Sequence, residues 1–118
     1  MNNGKELFNE IIDKIKNNGI LVIVEGKKDS AALRKLGIVN IVELSKKPIY
    51  SIVEEVAEKT KDCIILTDLD KKGKELFGKL NSGLQRHGVR VDNTFREFLF
   101  KRTKLRQIEG ITEELGVY

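Results

Sequence analysis

Cysteine, histidine, methionine and proline each occur once in this chain, and tryptophan not at all. A single cysteine, Cys63, excludes an internal disulfide and a cysteine-held zinc cluster, and the single histidine, His87, excludes a multi-histidine metal site. No apolar stretch approaches the ~20 residues of a membrane span. The start, Met-Asn-Asn-Gly-Lys-Glu, is polar and leads into an amphipathic segment carrying Glu10 and Asp13. It lacks the unbroken apolar core of a secretory signal. The expectation is a cytoplasmic protein with no membrane contact. No segment repeats, and none is low in complexity. Cys63 opens an apolar run and reads as a small core residue. His87, between Arg86 and Gly88, reads as a helix-terminal residue rather than a catalytic one.

What remains is rich in charge. The 118 residues are 40% hydrophobic and 34% charged, enough for a single domain with its own core. Abundant Lys and Glu beside two Gln point to a heat-adapted source. The net charge of +4 is unevenly spread. Residues 71–106 hold 11 Lys or Arg against 3 Asp or Glu, a surplus of +8, which leaves −4 for the remainder. A basic stretch of this kind suits an extended anionic partner such as nucleic acid, and equally suits solvated helix faces.

Two acidic loops stand out, each just past an apolar run. The first is Ile20-Leu21-Val22-Ile23-Val24 followed by Glu25-Gly26. The second is Cys63-Ile64-Ile65-Leu66-Thr67 followed by Asp68-Leu69-Asp70-Lys71-Lys72-Gly73. Unbroken apolar runs are expected of strands covered on both faces, as in a parallel sheet. Both loops then reach the same sheet edge, where open α/β sheets bind ligands. Three carboxylates gathered there repel one another and call for protons or a divalent cation. Asp68 and Asp70, two apart in an extended stretch, point to the same side and can share one ion. Mg²⁺ suits them, with Mn²⁺ as its substitute: it takes oxygen ligands and is held by one or two carboxylates with water and phosphate.

Elsewhere the pattern predicts a helix over 4–17, strands over 20–24 and 38–43, and between them a helix over 29–36 capped by Asp29 or Ser30. A loop at Ser45-Lys46-Lys47-Pro48 precedes a helix over 49–60. A strand over 63–67, a helix over 73–86 and a short strand over 89–91 follow. Asn93 or Thr94 caps a last helix with Phe95, Phe98 and Leu99 inward, and Ile108, Ile111 and Leu115 suggest a short closing helix. Alternating strands and helices predict an α/β three-layer sandwich. If strands 1 and 3 are neighbours, as the convergence of the two acidic loops suggests, its four-stranded, mainly parallel, Rossmann-like sheet has the order 2-1-3-4.

The stretch Val-Glu-Gly-Lys-Lys-Asp-Ser-Ala-Ala-Leu (24–33), followed some 40 residues on by Leu-Thr-Asp-Leu-Asp-Lys-Lys-Gly-Lys-Glu-Leu (66–76), resembles the Toprim domain. That family includes the catalytic domains of bacterial primases and of type IA and type II topoisomerases, and small ribonucleases that mature ribosomal RNA. The resemblance covers about residues 19–100 and implies a single Toprim-like domain over 1–118. By position, Glu25 matches the family's general acid or base, with a further role as metal ligand. Asp68 and Asp70 match the metal-binding Asp-x-Asp, and Gly26 and Gly73 the motif glycines. Lys27 and Asp29 match polar residues after the glutamate. Lys74 stands where many members have Glu, with Glu75 one place later, and Leu69 where a proline or small residue is frequent. Primases and topoisomerases need further domains, so the resemblance implies a stand-alone Toprim protein. The expected activity is Mg²⁺-dependent cleavage or transfer of a phosphodiester in RNA or DNA. Lys27, Lys28, Lys71 and Lys72, the two motif glycines, and Lys101 with Arg102 are the expected contacts to phosphate. The alternative is a non-catalytic nucleic-acid-binding module that needs a protein partner. A receiver domain has this sheet order, but it needs paired acids after strand 1 and a lysine after a fifth strand.

Overall fold

The computed structural model describes residues 4–114. The helix α1 (Gly4–Asn18) leads into β1 (Leu21–Val24), and α2 (Lys27–Lys35) carries the chain to β2 (Ile41–Glu43). Then come α3 (Ile49–Lys59), β3 (Asp62–Leu66), α4 (Lys71–Arg86), β4 (Arg90–Val91) and α5 (Thr94–Arg102). A 3₁₀ turn at Ile108–Gly110 and α6 (Ile111–Glu114) close the described chain. Leu115, expected in the closing helix, lies outside the described residues.

The sheet is wholly parallel, in the order β2-β1-β3-β4. β1 sits at the centre, pairing Val24 with Glu43 on one side and with Leu66 on the other. Its residues alternate between two cores, which is why the run is apolar throughout. Val22 and Val24, with Ile64 and Leu66, meet α1, α2, α5 and the segment after it. Leu21 and Ile23, with Cys63 and Ile65, meet α3 and α4. The result is the three-layer α/β/α sandwich.

Two helices begin earlier than their sequence pattern indicates. α2 starts at Lys27 behind Gly26, so Asp29 and Ser30 lie inside its first turn rather than at its cap. Asp29 still serves the helix end, because its Oδ2 accepts the Gly26 N–H at 3.1 Å. α4 starts at Lys71 rather than residue 73, because Asp70 is itself the N-cap. Strand 2 is shorter than expected and runs only over Ile41–Glu43, preceded by one bond to β1 in which the Asn40 carbonyl accepts the Val22 N–H at 2.9 Å. His87 caps the C-terminus of α4, its Nδ1 2.9 Å from the Gly83 carbonyl. Cys63 is fully buried, and burial pushes its thiol up to about 12.

The candidate acidic site

The chain leaves β1 for β2 on one side and passes through β3 to β4 on the other, so the sheet has its switch point between β1 and β3. Loops leaving neighbouring strands there form a crevice. Glu25 leaves β1 and Asp68 leaves β3, and the structure joins them directly. The Asp68 N–H donates to Glu25 Oε2 at 2.7 Å. The Glu25 carbonyl in turn accepts the Ser45 N–H at 3.1 Å, which ties the β2–α3 loop to the same point.

The Asp68-Leu69-Asp70 segment is shaped by what lies between the acids. Leu69 is only 2% exposed and anchors the loop in the core. Asp70 is exposed, and its Oδ1 accepts the Gly73 N–H at 2.8 Å, a side-chain cap on α4. Asp68 is half-buried, and its Oδ1 accepts the Ile108 N–H at 2.9 Å. A Cβ on Gly73 would stand 1.9 Å from the Asp68 carbonyl oxygen, so only glycine allows α4 to start this close to the loop. Thr67, fully buried, donates its hydroxyl to the Gly73 carbonyl at 2.7 Å and closes the turn from inside.

Electrostatics follow from this crowding. Burial, then the charges of Glu25, Asp70 and Glu109, raise the Asp68 carboxyl above the usual carboxylate range, while the Ile108 N–H acts the other way. Asp29, 7% exposed, is raised to about 6, first by burial and then by the charge of Asp68. Five acids therefore share one region of negative potential. Among the described residues no three of them close around a common point as a preformed metal cage. Asp68 and Asp70 each keep one carboxylate oxygen without a donor among the described residues, and Glu25 keeps Oε1. That donor set fits a hard divalent cation held by one or two carboxylates and completed by water. It does not fit a full protein cage.

The residues expected to touch phosphate divide into three groups. Lys27 and Lys28 open α2, and Lys71 and Lys72 open α4; all four are exposed at the rim of the crevice. Gly26 and Gly73 are at the crevice, but their N–H groups are already taken by Asp29 and Asp70. Lys101 and Arg102 end α5, and Lys101 lines a cavity that it shares with Lys74 of α4. Sequence reasoning missed Arg96. It counts there as one cation of a basic stretch, yet it is 8% exposed. Its guanidinium donates to the Thr67 carbonyl and, at 3.1 Å, to the Asp68 carbonyl. It stacks on Phe77 with Cζ 4.6 Å from the ring centroid. The available signal was its place three residues before the inward Leu99. The closing segment docks as its Ile108 and Ile111 lead one to expect, but its landing place, with Leu105, Ile108 and Ile111 buried against the α1–α2 face, has no signal in the sequence.

A sheet with this switch point and these two acidic loops defines a class, and the chain belongs to the Toprim family: the model of the Toprim domain matches residues 20–94. Along nearly its whole length it is similar to UPF0292 proteins of archaea. It is 39% identical to the one from Pyrococcus abyssi over 96% of this chain and 85% of that one. The relative from Methanocaldococcus jannaschii is 34% identical over 76% and 73% of the two chains. A solved protein from Aquifex aeolicus superposes with a TM-score of 0.77 at 35% identity, covering 85% of this chain and 94% of that one. The Aquifex aeolicus primase structure, containing the zinc-binding and RNA polymerase domains, superposes with a TM-score of 0.54 at 25% identity. That match covers 89% of this chain and 27% of the primase chain. Among the described residues no helix is long and apolar enough to cross a membrane.

Proposed function

We propose that this protein is a Mg²⁺-dependent enzyme that cleaves or transfers phosphodiesters in nucleic acid. The observation that carries the reading is the 2.7 Å hydrogen bond from the Asp68 N–H to Glu25 Oε2. It fixes one carboxylate oxygen of Glu25 against the Asp-x-Asp loop and leaves the other, Oε1, for proton exchange. Asp68 and Asp70 would hold the cation, each through the oxygen that no backbone N–H occupies. A cation bound there supplies Lewis-acid polarisation of the phosphate and offsets charge on the leaving oxygen. The remaining work falls to side chains of the chain. Glu25 Oε1 takes the proton from the water or hydroxyl whose oxygen bonds to phosphorus, or gives one to the leaving oxygen as its bond to phosphorus breaks. Arg96 holds the Thr67 and Asp68 carbonyls and thereby sets the aim of Asp68. Lys27, Lys28, Lys71 and Lys72 draw the polyanion to the rim.

The test is a cleavage assay on mixed RNA and DNA substrates, with rate measured against Mg²⁺ concentration for the wild type and Glu25→Gln. Glutamine keeps the acceptor for the Asp68 N–H but exchanges no proton. The expected loss is ~10²-fold or more, with affinity for nucleic acid unchanged. Rescue of the variant by excess Mg²⁺ would reassign Glu25 to metal binding. A fully active variant would exclude the mechanism. The second reading, a binding module that works with a partner, is favoured by Lys74 in place of the acid many Toprim proteins carry. It predicts a wild type that binds nucleic acid and cleaves none.

A further inference from the structure

Beside the acidic loop lies an aromatic surface that the chemistry above does not use. Phe100, near the end of α5, is 45% exposed although its neighbours Phe98 and Leu99 are buried. Cations surround it. Lys74 Nζ lies 4.8 Å from the ring centroid and Arg106 Cζ 5.7 Å. The ring borders a cavity of about 290 Å³ whose wall includes Phe77, Asn93 and Lys101. Asn93 Oδ1 is a buried acceptor with no donor among the described residues.

We infer that this surface stacks one unpaired base of a single-stranded nucleic acid, with Phe100 as the platform. An exposed ring set among cations matches a ligand that has both a flat π-face and a negative backbone. A nucleotide has both, and stacking accepts any base. Lys74 is the flexible member of the set. An exposed cation–π contact is weaker than base stacking, so the ammonium moves from the ring to the neighbouring phosphate and the base takes its place. A duplex keeps its bases stacked on one another and presents none to the ring.

Position links the platform to the acids. Lys74 stands one helical turn, ~6 Å along the axis, past the Asp70 cap. The Arg106 carbonyl accepts the Leu69 N–H at 2.6 Å. A base held on Phe100 therefore places its strand alongside Asp68 and Asp70. The inference rests on the phosphodiester reading for its meaning, and it narrows the substrate to unpaired strands.

Binding can be tested apart from cleavage by working in chelator. The chain contains no tryptophan, so Phe100→Trp introduces a sole indole at the platform. Its fluorescence is titrated with a single-stranded oligonucleotide, a duplex of the same length, and an abasic strand of the same charge. Quenching by the first alone is expected. In parallel, Phe100→Leu should weaken single-strand binding about 5- to 150-fold, the loss of one stacked base, and leave duplex binding unchanged. Melting curves on both variants check the fold. No quenching, equal quenching by the abasic strand, or unchanged single-strand affinity in Phe100→Leu would overturn the inference. If wild type binds single strands through Phe100 but never cleaves with Mg²⁺, the platform stands and the enzyme reading falls. If it cleaves duplex as well as single strands and Phe100→Leu is fully active, the reverse holds.

Discussion

Asp29 shows how one carboxyl can stabilise a helix end and still weigh on the fold. Its Oδ2 accepts the Gly26 N–H, yet burial and the nearby Asp68 charge raise it to about 6. A raised acid holds its proton longer in the folded state than in the unfolded one. Stability therefore falls as pH rises from about 4 to about 6, and the deficit persists above. Asp68 is shifted in the same direction and adds to the trend. Asp29→Asn keeps an acceptor for Gly26 and removes the charge. In chelator at pH 7 it should melt higher than wild type, by the equivalent of roughly 3 kcal/mol, and the two should converge near pH 4. Equal melting temperatures at pH 7 would show that Asp29 carries no such penalty. At this scale the candidate acids were legible in the sequence, because each follows an apolar strand run. The hydrogen bonds of Gly26 and Gly73 to Asp29 and Asp70 were not, since they depend on where each helix begins.

Among elements, α5 has the unexpected part. Its short run Phe95-Arg96-Glu97-Phe98-Leu99 buries a cation together with its apolar face. Arg96 thereby pins α5 to the end of β3 at the carbonyls of Thr67 and Asp68. Burial holds its guanidinium below the usual arginine range, and the charges of Glu25 and Asp68 act the other way. Arg96→Met fills similar space and leaves two buried carbonyls without a donor. It should cost about 3 kcal/mol in denaturant unfolding, and Arg96→Lys should recover only part of that because it lacks the planar fork. Unchanged stability in Arg96→Met would mean that water replaces the guanidinium and that α5 does not position the loop. The segment after α5 acts on the same loop from outside, through the Ile108 N–H on Asp68 and the Arg106 carbonyl under Leu69. Its apolar residues were visible in the sequence, but their landing place was not. Sparse apolar residues outside a regular repeat do not specify a docking face.

The whole molecule divides its charge between an acidic crevice and a basic flank. The +8 surplus of residues 71–106 includes Arg96, which is buried and cannot reach a phosphate, so the exposed surplus is one charge smaller. The exposed cations of α4 and the end of α5 should bind nucleic acid with little sequence preference and strong dependence on salt. Each phosphate neutralised on a single strand contributes a slope of about −0.7 in log K against log salt. A titration at several salt concentrations should give a slope reflecting several such contacts. Binding insensitive to salt, or absent at low salt, would leave a protein partner as the target of this flank.

The sequence by itself determined the layers, the parallel strands and the two acidic loops, while the strand order was an inference from the convergence of those loops that the structure bears out. The first three follow from local periodicity, and a strand buried on both faces has few other arrangements open to it. Only the tertiary structure decided which oxygens remain open, where Arg96 goes and what lies over Asp68. Those depend on contacts between residues 28 to 43 positions apart, such as Arg96 with Thr67 and Asp68, and Glu25 with Asp68. No local pattern encodes them, because each is set by how closely one loop can approach another. At Gly73 that approach is close enough to exclude a single methyl group.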